Sequence, residues 1–425
     1  MNMKKAFLIF VVMSLLITAS VMAGGGAQQA DNSSGKKVPI LLWLPPFASD
    51  DGASLDKEFW TKTLAPWAQD NNVDLSIEIT PWSNYEEKYL TGFSSGIGPD
   101  VGYMYNEMLN DFIDMGALEK LDNYFSAADK AKYLHFDLGF VKGAQYTVPF
   151  VVGNGRVTFF NMDLLAKAGI TTLPKTWDDF IQMGLKLKNT DLGDGVLTFA
   201  QGWTDPSIGG LNTIYYPYLW QAGGEFFDSN GNIALSNNDG AVRAAQFIYD
   251  LMYVHGITSK ECLSMTESDV GRLFRDGKIA VAVMAASVAK QLDSEGKVKW
   301  DFIPSLEDKK GAVWVAADAL MVNAASKQKN LAVALVKNIT SVPIMEAFHR
   351  EIYAAPPIAV GETYLDNPRF KDMYEKSPYL KSMPVAKNAA TAGDNLFKNL
   401  QRMMHQEISA QQAIQATVDY WKSIQ

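Results

Sequence analysis

Intramolecular disulfides are excluded, because Cys262 is the only cysteine in 425 residues. Stability has to come from packing, and without a matching His and Asn/Asp signature the lone thiol reads as a structural residue. Histidine is scarce as well: His135, His255, His349 and His405 stand far apart and offer no metal-ligand spacing. Basic residues are in deficit, 38 Lys and Arg against 47 Asp and Glu. The resulting net charge of −9 and pI near 5.1 argue against a nucleic-acid surface. No long run of one charge sign appears. There is no Gly-x-Ser-x-Gly elbow, no His-Glu-x-x-His and no phosphate-binding glycine loop. No catalytic residue, cofactor or metal is therefore assigned.

Aromatic side chains are plentiful, with 10 Trp, 17 Tyr and 22 Phe. Most serve a core, but a tryptophan surplus also suits a surface that stacks on flat apolar ligand faces. The length exceeds what one core usually serves, so two lobes are expected. At the amino terminus Lys4 and Lys5 precede an apolar run over 6–19, and the small residues before position 24 predict a signal peptide at 1–23. The run is too short to span a bilayer. With no cysteine near the cleavage site, a lipid anchor is not expected, and export to a periplasmic or extracytoplasmic space is. Residues 24–37, rich in Gly, Gln, Asn and Ser, read as a flexible tether.

The continuous apolar run 38–44, ended by Pro45 and Pro46, predicts a buried parallel strand, and a helix over 55–71 leads to the alternating strand 73–79. Ser83 and Glu86 have capping-box spacing, and 101–104 is a further strand. A doubly wound α/β sheet follows, in which ligands collect at the carboxyl ends of strands. That position nominates Trp43, Trp82 and 103–107, with Trp82 open between ligand contact and helix-entry packing. Capping signals at Thr176, Ser236 and Thr266 precede helices expected near 177–188, 239–254 and 267–275, with another near 211–222. Strands are expected at 278–284 and 319–322, and a helical tail at 409–424. Between the apolar run 147–152 and the strand 157–160 stands Gly153-Asn154-Gly155. It reads either as a bulged strand or as the chain leaving one sheet for another.

Several fragments then fall in a known order: Gly96 to Val101, Tyr146 to Pro149, Phe159 to Asn161 before a helix ending at Gly169, Pro174 to Trp177, Trp220 to Glu225, Phe274 to Lys278 with Ala280, and Gly311 through Val322. Together with the export signal, this set resembles the family 1 extracellular solute-binding proteins, the maltose-binding-protein-like sugar receptors of ABC importers. The resemblance implies a periplasmic-binding-protein-like, type II architecture of two doubly wound α/β lobes joined by a multi-crossing hinge. It places crossings near Gly153, near 277–280 and near 349–354. One lobe would comprise 38–152 with 280–350, the other 153–279 with 351–425. A sugar would sit between them, and the partner would be the transmembrane subunits of an ABC permease, with the receptor acting as a monomer. Family ligand-lining positions fall on Trp43, Tyr105, Asn106, Glu107, Asn154, Trp203, Tyr216, Ser287 and Trp314. Ser287 stands where relatives often place an aromatic, and Asn154 where an acidic residue can occur.

A sugar presents apolar C–H faces to aromatic rings and a rim of hydroxyls to polar groups. Trp43, Trp203 and Trp314 are the expected stacking faces, with Asn106, Glu107, Asp205 and Asp318 as polar partners. Trp220, mid-helix, reads as core. Arg156 beside the crossing is open between a structural ion pair and a clamp for an acidic sugar or glycerol phosphate. Two other classes stay open: a secreted glycan-active enzyme, which needs two carboxylates across the scissile bond, and a metal-ion receptor hinted at by Tyr215 and Tyr216.

Overall fold

Residues 36–48, 53–365 and 367–425 are described by the computed structural model of the protein. The signal peptide expected at 1–23 and all but the end of the tether lie outside them. Strand β1, Val38–Leu44, runs parallel to β2, Val73–Ile79, and to β3, Val101–Met104. Their crossovers are the helices Ala53–Asp70 and Tyr85–Ser95, so local order produces the doubly wound start. After a small hairpin of β4, Phe140–Val141, and β5, Ala144–Gln145, comes β6, Thr147–Gly153. The chain then enters β7, Arg156–Asn161.

These two strands are in different sheets. The second sheet adds β8, Leu197–Ala200, β9, Ile279–Ala285, and β10, Trp300–Ile303, in the order β10-β7-β9-β8. The chain returns through β11, Val313–Trp314, into β12, Ala316–Val322, which inserts antiparallel between β3 and β6. The first sheet thus reads β2-β1-β3-β12-β6, and the last strand, β13, Leu380–Lys381, pairs with β11. At Gly153-Asn154-Gly155 the chain does leave one sheet for another, so the bulged-strand alternative is set aside.

The expected boundary at 280 requires correction. Strand β9 pairs with β7 and β8, and β10 with β7, so both belong to the second sheet rather than to the amino-terminal lobe. The second crossing falls between β10 and β12. The third follows the helix Val342–Glu351: Thr363 still bonds to Glu346, and Phe370 on the helix Pro368–Lys376 already packs against Phe302, 4.4 Å away.

All positions of β3, β9 and β12 are buried, which explains the apolar character of β3, of β9 and of 319–322 in β12, where Asp318 is the one charged exception. Beneath the first sheet, Trp60 meets Phe348 at 5.1 Å and Phe150 at 5.9 Å between ring centroids. The carboxyl-terminal helices Ala389–Met404 and Ala410–Ser423 pack on Ser207–Ile214 and Gly240–Tyr253 of the second lobe.

Helix caps test the local reading. Thr176 and Thr266 form capping boxes with Asp179 and Asp269. Ser83 does not, because Trp82–Asn84 is a 3₁₀ turn and the helix starts at Tyr85. Ser236 does not either, since the helix begins at Gly240 after Asp239. The expected helix at 211–222 is broken in two, Ser207–Ile214 and Tyr216–Gln221, with Pro217 in the first turn of the second. At Thr176 the hydroxyl accepts from the Asp179 amide at 3.1 Å while the Asp179 carboxylate accepts from the Thr176 amide at 3.0 Å. Thr176→Ala is expected to cost about 1 kcal/mol in denaturant unfolding, and no change in midpoint would remove the cap from the account.

Candidate functional site

Several polar side chains carried on or beside β3, β12 and β7 are buried. Glu107 opens the helix Asn106–Asp114 directly after β3 and is 4% exposed; Asp318 stands on β12 at 8%. The Tyr103 hydroxyl donates to Asp318 Oδ2 at 2.5 Å, and the Tyr105 hydroxyl donates to Glu86 Oε1 at 2.8 Å. Glu107 Oε1 accepts no hydrogen bond among the described residues. Burial, with the charge of Asp318 second, pushes the Glu107 carboxyl up to about 8. Asp318 is pushed up to about 7 by burial, opposed by its Tyr103 bond and by the charge of Arg156. Glu86 is raised as well, again chiefly by burial.

From the second sheet, Arg156 on β7 reaches Glu267 at 3.5 Å and lies over the Trp314 ring, 5.3 Å from its centroid. Glu267 is itself fixed, accepting from the Ala285 amide at 2.8 Å and from the Thr213 hydroxyl at 3.3 Å. At the crossing, Asn154 has φ of +44°, a left-handed conformation that asparagine tolerates better than most residues. Its side chain joins segments from three parts of the chain: Nδ2 donates to the Tyr353 hydroxyl and Oδ1 accepts from the Ser287 amide at 3.0 Å. Tyr216 stacks on Trp220 at 5.9 Å, and the charges of Glu107 and Glu86 help raise its hydroxyl, after burial. Glu107 is therefore within electrostatic reach of Asp318, Glu86 and Tyr216. Among the described residues no group of three or more His, Cys, Asp and Glu is placed to hold a metal ion.

The sequence profile of the bacterial extracellular solute-binding proteins matches residues 48–345, well over half of the chain. The protein belongs to that family. Curated relatives include a Brucella abortus binding protein, 28% identical over 230 residues, 54% of each chain. The diacetylchitobiose binding protein DasA of Streptomyces coelicolor is 26% identical over 337 residues, 75% of this chain and 74% of that one. The chain spans about half the length of the first curated relatives it matches. Among solved structures, a Thermotoga lettingae ABC transporter solute-binding protein bound to α-D-tagatose superposes with a TM-score of 0.78 at 18% identity, covering 90% of this chain and 98% of that one. That likeness, with the topology above, gives the fold as the two-lobed type II arrangement of periplasmic binding proteins. The family and these neighbours are binding proteins rather than enzymes, and the family is an extracellular one.

Within this solute-binding protein the nominated residues divide. Glu107 lies within electrostatic reach of Asp318 and Tyr216, Tyr105 donates to Glu86, the Ser287 amide donates to Asn154, and Trp314 lies beneath Arg156. Asn106 donates to the Met383 carbonyl at 3.2 Å. Trp43 is turned under the helix Tyr85–Ser95, edge-on to Tyr89 and capped by the Lys88 ammonium. Trp82 donates to the Pro46 carbonyl at 3.0 Å and packs on Tyr85. Trp203 is 1% exposed, its backbone tied to Met265 and Gln401. Asp205 accepts from the Glu267 amide at 2.6 Å, so it braces the start of the helix Glu267–Arg275, which carries the Arg156 partner. Glu86, Glu267, Tyr353 and Tyr374, none of them nominated, bond to Tyr105, Arg156, Asn154 and the Gly155 amide respectively. The two glutamates fell within helix-start patterns, and the tyrosines lie on segments brought in by the third crossing.

Proposed function

We propose that this protein is an exported, non-catalytic receptor that captures a sugar between its lobes and delivers it to an ABC permease. The lobes are assigned as 38–153 with 316–363 and 156–303 with 368–425, the intervening stretches forming the hinge. One observation carries the reading: buried polar atoms near the crossing between the sheets, Glu107 Oε1 and Trp314 Nε1 among them, have no hydrogen-bond partner among the described residues. A ligand rich in hydroxyls and apolar C–H faces would satisfy them. Glu107, Asp318, Tyr105 and Asn154 are assigned to its hydroxyls, and Trp314 and Tyr216 to its faces. The likeness to DasA, named for a chitobiose derivative, supports a carbohydrate. Bound ligand touches both lobes only when they approach, so affinity and closure form one equilibrium.

Thermal unfolding against a panel of mono-, di- and oligosaccharides checks this. A bound sugar at about 100 times its dissociation constant should add about 2.7 kcal/mol of stability. No shift with any saccharide, accompanied by turnover of a glycan, would assign the paired carboxyls Glu107 and Asp318 to an enzyme instead.

A further inference from the structure

Two hydrogen bonds join the lobes outside the three crossings, and both are made by protein atoms alone. They start on the helix Asn106–Asp114 of the first lobe and end on the segment 383–388, which leads into the helix Ala389–Met404 of the second. Asn106 Nδ2 donates to the Met383 carbonyl at 3.2 Å, and Asp111 Oδ1 accepts from the Asn388 amide at 2.9 Å. The second bond is the stronger, because its acceptor is a carboxylate placed at the positive end of a 16-residue helix. The local sequence leaves that helix end free for it. Asn388 stands at the N-cap with φ of +55°, yet its side chain does not cap: Nδ2 donates instead to the Ile424 carbonyl at 3.0 Å. Thr176, Thr266 and Ser409 cap their own helices, whereas here the anion comes from the other lobe. Asn110 Nδ2 donates to the same Asp111 oxygen at 3.0 Å and fixes the carboxylate in place. Further along the helix Ala389–Met404, Asp394 lies within electrostatic reach of Glu86, a like charge on the first lobe. That pair opposes the approach of the lobes, so the Asp111 bond acts against a repulsion.

We propose that Asp111 is a latch residue: its carboxylate holds the amino end of the helix Ala389–Met404, and with it the second lobe, against the first whether or not a solute is bound. Asp111 is a positioning residue, acting on the solute only through the lobe it holds. This rests on the two-lobed fold and not on the identity of the solute, so failure to find a sugar ligand would leave it standing. A hydrogen bond to a charged group changes the ratio of closed to open protein about tenfold. A solute that binds only the closed form gains that factor in affinity, and it leaves more slowly because the latch has to break first.

Small-angle X-ray scattering of the full chain, stripped of co-purified solute, tests the latch directly. Wild type should scatter as the lobe arrangement described above requires, and Asp111→Ala should scatter as a wider particle. Asp111→Asn keeps the shape and an acceptor oxygen but not the charge; it should widen the particle less, and it carries the test should the alanine variant fail to fold. Hydrogen exchange read by mass spectrometry adds a local measure: in Asp111→Ala the peptide covering 386–392 should exchange about tenfold faster, with the rest of the helix Ala389–Met404 unchanged. Scattering curves that coincide for wild type and both variants would overturn the proposal even if that peptide exchanged faster, because Asp111 would then serve only a helix end. Equal acceleration of exchange along the whole chain would overturn it as well, since the variant would then have lost global stability rather than a latch.

Discussion

Gly153→Ala is expected to destabilise the folded protein by about 2–6 kcal/mol. Gly153 ends β6 with φ of +115°, a conformation that costs an L side chain about 1–3 kcal/mol. An added Cβ would also lie 2.6 Å from Pro356 Cγ and 2.8 Å from its Cδ, and relieving such an overlap typically costs a further 1–3 kcal/mol. The proline cannot swing away, because its ring is part of its backbone. Urea unfolding should show a lower midpoint with an unchanged slope. A midpoint within 1 kcal/mol of wild type would mean that the crossing relaxes freely.

The second large effect concerns pH. In the folded protein Glu107 and Asp318 hold their protons to about 8 and about 7, whereas in the unfolded chain they ionise in the ordinary carboxylate range near 4. Between those limits the native state binds more protons than the unfolded one, so stability falls as pH rises from about 5 to about 8. A tenfold displacement of a proton equilibrium is worth about 1.4 kcal/mol, and about three pH units for Glu107 with about two for Asp318 put the combined loss on the order of 7 kcal/mol, the two groups titrating as a coupled pair. The groups facing them set the window: the Tyr103 bond and Arg156 hold Asp318 lower, and Glu86 lifts Glu107. Carboxylates held low elsewhere, such as Asp179 and Asp269, contribute stability that is lost only below about pH 4, outside this range. The double variant Glu107→Gln, Asp318→Asn should flatten the stability profile between pH 5 and 8. A profile as steep as wild type would place the titration elsewhere.

Most strands were legible because their causes are local. The run 38–44 and the alternation at 73–79 match β1 and β2 residue for residue, since burial on two faces or on one writes itself directly into the sequence. The partner of a strand is another matter. An apolar run such as 279–285 satisfies either sheet equally, and only the hydrogen bonds to β7 and β8, made across the chain, decide. That is why the second crossing was misplaced while the first, marked by two glycines, was not. The site shows the same division. Position after a strand end found Tyr105 and Glu107, yet the same rule put Trp43 at a strand end without saying toward which face its ring turns. Glu86 was hidden because its spacing from Ser83 imitates a cap, whereas a 3₁₀ turn over Trp82–Asn84 moves the helix start and frees the carboxyl for Tyr105.

The lone thiol of Cys262 has a practical corollary. Cys262 is fully enclosed, and burial raises its thiol above the ordinary value, which leaves little reactive thiolate at neutral pH. The native protein is thus nearly silent toward maleimide dyes without any substitution. Two cysteines introduced on exposed positions, one on each lobe, would carry a donor and an acceptor fluorophore against a dark background. The distance between the lobes then becomes an optical signal, read molecule by molecule as sugar is added.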